Sequence, residues 1–186
     1  MTARSPLAER SGDLERLGGR ELAFLAQVDV RADPSTAASL GFPAEPNTVT
    51  SSLDRDILWL GPDEWLVVGH PDTAEAQVAE LETSLGEAHH SVVDVSANRT
   101  VIELAGPSRH ELLSSACPID LHPRSWIDGR CAQTVFGGAQ ILLQEREGAT
   151  RVFVRPSFAG YVVDLLVAAS EPCRRWLERP WVLCSH

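Results

Sequence analysis

The side chains best able to do chemistry in this chain are scattered rather than clustered. His89 and His90 are adjacent and suggest a metal site, but successive strand residues point to opposite faces, so one ion does not easily take both. They are read as ordinary strand-end residues. His122, in the run Cys-Pro-Ile-Asp-Leu-His-Pro, follows an apolar turn and fits a hydrogen-bonded structural histidine better than a catalytic one. A thiol becomes a nucleophile only with a base nearby, and the sequence offers Cys117 none locally, so it is read as a small core hydrophobe. Asp94 and Arg99 flank a short turn and are expected to pair across it, a modest effect where solvent reaches. The cysteines are Cys117, Cys131, Cys173 and Cys184, with no Cys-x-x-Cys among them. That sets aside zinc-ribbon and thioredoxin chemistry, and scattered thiols fit a reducing cytoplasm. Gly-x-Ser-x-Gly, Gly-x-Gly-x-x-Gly after a strand and His-Glu-x-x-His are all missing. No residue is therefore assigned a catalytic, cofactor-binding or metal-binding role.

Composition narrows the classes further. A chain of 186 residues, 44% of them hydrophobic, can bury one good core or two small sub-domains sharing one. A net charge of −10 argues against a nucleic-acid partner. Every cation is Arg, so Schiff-base chemistry and a P-loop lysine are excluded. The N-terminal residues carry no apolar run like that of a secretory signal. The most apolar late stretch, Phe158 to Ala169, is too short to span a bilayer and contains Asp164. The expectation is a cytoplasmic protein off the membrane.

The elements that must position these residues follow from periodicity. Residues 1–20 read as a polar N-terminal arm in which Leu7, Leu14 and Leu17 permit a short helix; such an arm is loosely held or docks on a partner. Ala26, Val28 and Val30 alternate with Gln27, Asp29 and Arg31, a strand with one wet face. Asp33-Pro34 starts a short helix. Asp56 to Gly69 is a hairpin with apolar residues on both faces, so both must be covered, the second by the other half of the chain or by another subunit. Pro71 to Gly86 is a helix, with Asp72 and Glu75 as its capping box. Ser91 to Val95 and Thr100 to Leu104 read as two strands joined by a tight turn at Ala97-Asn98. A helix after Gly106-Pro107, strands at 130–136, 140–145 and 151–155, and a largely buried helix from Phe158 ended by Pro172 complete the chain. Residues 171–186, with Trp176 and Trp181, form a tail.

Two echoes suggest internal duplication. Val-Asp-Val-Arg-Ala-Asp-Pro-Ser from Val28 matches Val-Ile-Glu-Leu-Ala-Gly-Pro-Ser from Val101, 73 residues on; the strand–turn–strand at Trp59 matches that at Val135, 76 residues on. The fold class is α+β, a single domain over 21–170 made of two similar halves, about 21–96 and 97–170, with antiparallel strands and helices.

Five stretches in order, Leu60 to Val67, Val92 to Pro107, Ala116 to Pro123, Cys131 to Thr134 and Arg155 to Val162, resemble the γ subunits of heterotetrameric sarcosine oxidases. That resemblance implies the folate-binding fold of glycine-cleavage aminomethyltransferases, with two related halves facing each other. It implies a non-catalytic subunit beside α, β and δ subunits, in a complex oxidising sarcosine to glycine. The products it implies are formaldehyde, or 5,10-methylenetetrahydrofolate when tetrahydrofolate is present, and hydrogen peroxide. The same resemblance implies FAD, FMN, NAD, tetrahydrofolate and zinc in the partner subunits. The aminomethyltransferases carry an Asp-Asp pair before the matching hairpin; here it is interrupted as Asp54-Arg55-Asp56. A free-standing folate-binding one-carbon protein, or the equivalent subunit of a related N-methyl amino acid dehydrogenase, are the alternatives. Trp59, Trp65 and His122 are the candidates for a partner interface.

Overall fold

The two-sided hairpin sets the architecture. Its strands, β4 (Arg55–Gly61) and β5 (Glu64–Gly69), put Leu58, Leu60, Leu66 and Val68 on one face and Ile57, Trp65 and Val67 on the other. The first face packs on Val101, Cys131, Leu142 and Phe153 of a second sheet. The second face packs under helices α2 (Pro34–Ser39) and α3 (Ala74–Leu85). The other half of the chain therefore covers the hairpin. The computed structural model describes residues 4–177, and side chains to residue 171.

The first sheet runs β3 (Val49–Ser51), β4, β5, β2 (Ala26–Ala32), β6 (His90–Asp94); the second runs β1 (Gly19–Leu22), β7 (Thr100–Ala105), β10 (Ala149–Val154), β9 (Ala139–Arg146), β8 (Cys131–Phe136). Every pairing is antiparallel. Helices α1 (Ser11–Arg16), α4 (Arg109–Ser114) and α5 (Pro156–Leu177) lie on the outer face of the second sheet, around Leu14, Leu113 and Val163. The layers are thus helix, sheet, sheet, helix, an α+β fold in which each sheet is dry on both faces.

The first echo holds: β2 leads into α2 as β7 leads into α4. The second shifts by one hairpin. By sheet order, β4–β5 corresponds to β9–β10, and β3 to β8. Glycine-containing turns occur at both Gly137-Gly138 and Glu147-Gly148, so the local pattern could not choose between them.

The arm is not loosely held. Leu7 and Leu14 are fully buried in the second core, and β1 hydrogen-bonds to β7 in the place that β6 takes beside β2. Its leucines bury apolar area that β7 and α5 would otherwise expose. Nor do the strands flanking Ala97-Asn98 form a hairpin. β6 belongs to one sheet and β7 to the other, and the chain crosses between them through a 3-10 turn at Ser96–Asn98. Val95 N–H donates to Gln27 O at 2.8 Å, which ties the crossing to β2. β7 is apolar on both faces, and burial drives it to the middle of the second sheet between β1 and β10.

Three local expectations also change. Gln27 is buried rather than wet, its Nε2 donating to Arg99 O at 2.8 Å. Helix α3 is capped at Thr73, with no side-chain hydrogen bond from Asp72, whose backbone sits at φ 64°. Helix α5 continues through Pro172 to Leu177, because Ala159, Val162, Val163 and Leu166 anchor its inner stripe; Phe158 and Tyr161 on its other side are exposed. The side chains of Cys173, Trp176, Trp181 and Cys184 lie outside the described residues. No helix among the described residues is long and apolar enough to cross a membrane.

Candidate functional site

The seam between the sheets has two polar ends, carried on the same strands. At one end, Asp56 of β4 is buried and its Oδ2 accepts from Arg146 Nη1 at 2.6 Å and Arg151 Nη1 at 3.0 Å. Arg151 reaches on to Glu103 at 3.2 Å, and Glu103 to Arg20 at 2.6 Å. The chain clamps one sheet to the other there with charge. The attraction of Asp56 holds the Arg146 guanidinium above its ordinary value against the opposing effect of its partial burial.

At the other end the seam opens into a cavity of about 330 Å³ lined by Arg99, Gln133, Thr134, Val135, Gln140, Leu142 and Arg155. Arg99 enters from the start of β7, Gln133 and Thr134 from β8, Gln140 from the start of β9, and Arg155 follows β10. Gln133 Nε2 donates to Leu60 O of the first sheet at 2.9 Å, which bridges the seam beside the cavity. Burial, then the charge of Arg155, pushes the Arg99 guanidinium down, while Asp29 and Glu64 of the first sheet pull it back. Burial raises the Asp29 and Glu64 carboxyls, and each feels the other. Three of the five motif stretches, those holding Arg99, Gln133-Thr134 and Arg155, thus meet at one cavity. The sequence reading missed this convergence, and also the parts of Gln140, Asp29 and Glu64, because only the pairing of β7, β10, β9 and β8 in one sheet brings Arg99, just before β7, and Arg155, just after β10, to Gln133 of β8.

The residues singled out by sequence are not brought together. Arg99 does not pair with Asp94, whose Oδ1 accepts from Ser96 N and Oγ at 2.9 and 2.5 Å. Crossing between sheets carries Arg99 away from it. Trp65 is not available to a partner: it is buried, edge-on to Phe42 at 5.5 Å, and its Nε1 donates to Pro43 O at 2.9 Å. Its bulk fills the layer beneath α2 and α3, wholly within the first half. Trp59 is half-buried beside it, and His122 is exposed, its Nδ1 accepting from Arg124 N at 3.2 Å. His90 bonds to Glu82 at 2.8 Å, which raises its pKa. Cys117 is buried near Thr134, 3.8 Å away. The Cys131 thiol, pushed up to about 12 by burial, stays protonated. Among the described residues no group of three or more His, Cys, Asp or Glu is arranged to hold a metal ion.

One buried carboxylate went unnoticed in the sequence. Glu145 accepts from Arg109 at 2.6 Å, His110 at 3.2 Å and Trp126 Nε1 at 3.0 Å, and from the Thr150 hydroxyl. It pins the long α4–β8 connection to the sheet. Its oxygens are saturated, which fits a structural hub rather than a base.

Comparison with known proteins places this architecture. The model of the sarcosine oxidase, gamma subunit family matches residues 26–172. The chain belongs to that family. It is 38% identical over 160 residues to the sarcosine oxidase subunit gamma of Corynebacterium sp. (strain P-1), covering 81% of this chain and 78% of that protein. It is 36% identical over 160 residues to its counterpart in an Arthrobacter species, with the same coverage of 81% and 78%. A chain of the solved heterotetrameric sarcosine oxidase from Corynebacterium sp. U-96 superposes with a TM-score of 0.82 at 32% identity, over 91% of this chain and 95% of that one. The glycine-cleavage aminomethyltransferase T of Bartonella henselae shares the fold alone, with a TM-score of 0.64 at 12% identity over 86% of this chain and 49% of that one.

Proposed function

We propose that this gamma-type chain is a non-catalytic subunit of a cytoplasmic, four-subunit complex that oxidatively demethylates sarcosine to glycine. The observation carrying this reading is the match over nearly the whole of both chains to a subunit of a heterotetrameric sarcosine oxidase. The absence of a grouped nucleophile, base and orienting residue in the sequence agrees with it. In this reading α, β and δ subunits supply the chemistry. They hold FAD, FMN, NAD, tetrahydrofolate and zinc, and release formaldehyde or 5,10-methylenetetrahydrofolate with hydrogen peroxide. A free-standing folate-binding role has less support, because Asp56 of the interrupted acidic pair is already engaged by Arg146 and Arg151. Trp59 and His122, which keep exposed surface, are the remaining named contacts for partners.

Co-expression with the flavin-bearing subunits tests the reading. The chain is expected to co-elute with them in size-exclusion chromatography, and the assembly to consume oxygen with sarcosine, while the chain purified alone shows no flavin absorbance. Elution of the wild-type chain apart from those subunits overturns it.

A further inference from the structure

Elsewhere on the two sheets, arginines are neutralised. Arg20, Arg31, Arg146 and Arg151 each hold a carboxylate at 2.6–3.0 Å. Arg99 and Arg155 do not: neither guanidinium makes a hydrogen bond or ion pair with a described side chain, although acidic residues outnumber arginines by 26 to 16. Two like charges held at one cavity, one of them partly desolvated, raise the energy of the empty site. An anion between them lowers it.

We infer that this cavity binds a small monocarboxylate, its carboxylate held by Arg99 and Arg155 and its body resting on Val135 and Leu142. The guanidinium fork matches the carboxylate plane and offers paired donors. Gln133, whose Nε2 is committed to Leu60 O, keeps its Oε1 as an acceptor, and Gln140 adds a further hydrogen-bonding group for the body of the ligand. At about 330 Å³ the cavity falls in the range of small-molecule sites and exceeds what one inserted carboxylate side chain fills. Asp29 and Glu64 oppose Arg99 from the first sheet, so the site tolerates one added negative charge better than the two of a phosphate dianion. This inference goes beyond the assembly reading and does not depend on it.

The test uses the purified full chain with sodium butyrate as the probe, against sodium phosphate and sodium chloride at matched ionic strength. Butyrate is expected to raise the melting temperature saturably, and chloride is not. Arg155→Ala and Arg99→Ala are each expected to weaken butyrate binding roughly tenfold or more, the loss that follows removal of a charge-assisted contact. Arg155→Lys retains part of the affinity. Arg155 is exposed, so its variants keep the fold, which far-ultraviolet circular dichroism checks. The inference is overturned if butyrate acts no differently from chloride, if phosphate binds as tightly, or if Arg155→Ala binds butyrate unchanged. A wild-type chain indifferent to butyrate whose Arg155→Ala variant no longer joins the flavin-bearing subunits would assign the pair to a partner's carboxylate instead, and that also overturns it.

Discussion

The two ends of the inter-sheet seam use the same chemistry to opposite effect. Strand β9 carries Arg146 at one end and Gln140 at the other; β10 begins near Arg151 and is followed by Arg155. At the Asp56 end, guanidiniums from the second sheet close on a buried carboxylate of the first. At the Arg155 end, the facing acids Asp29 and Glu64 do not reach the arginines, and a cavity stays open. Charge between sheets can lock a sandwich only where both partners meet. Where they miss, the same residues become available to something else.

The contrast can be broken most sharply at the locked end. Asp56→Ala leaves Arg146 and Arg151 without their shared carboxylate, and is expected to cost about 3 kcal/mol, the low end for a broken buried pair because both guanidiniums keep some solvent. Urea denaturation reads this; a loss within about 0.5 kcal/mol, the range of an ordinary surface change, would mean that the clamp is ornamental. Between the ends, Gln144 is fully buried on the seam beside Cys131, and neither of its amide atoms has a protein partner. Gln144→Leu is expected to stabilise the chain by roughly 1 kcal/mol, since it removes an unsatisfied polar group at similar volume. At the open end, Arg155→Met is expected to leave stability within about 0.5 kcal/mol of wild type or raise it, in contrast to the loss from Asp56→Ala. A large loss there would show that Arg155 has a structural partner after all.

The smallest effect is a pH slope. Burial holds the Asp29 carboxyl above its ordinary value. The folded chain then binds more protons than the unfolded one between the ordinary and the raised value, so this group's contribution to stability falls as pH rises through that window, from about pH 4 upward. Glu64 acts in the same direction. The difference in melting temperature between wild type and Asp29→Asn, followed across mildly acidic pH, should shift in the variant's favour as pH rises. A flat difference would mean that the open end is wet enough to leave Asp29 unperturbed.

What the sequence by itself determined was local. The hairpin at Ile57–Val68, the α3 helix, the strands of the second half and the two-sided apolar pattern were legible, because side-chain periodicity reports which faces are dry. The ordered motifs carried the family. Cys117 as a small core side chain was also legible, since no base lay near it. Pairing at long range was decided by tertiary structure. β1 is short and lies in a polar segment, yet it completes the second sheet because only that edge of β7 remains unpaired. The turn at Ala97-Asn98 looks like a hairpin locally; it becomes a crossing because β7 must be buried on both sides and β6 need not be. Arg99 and Arg155 stand far apart in the chain, and nothing in their spacing announces a site. They meet because β7 and β10 are neighbours in register, Thr100 opposite Val154, which sets the residues just beyond each strand side by side at the open end of the seam.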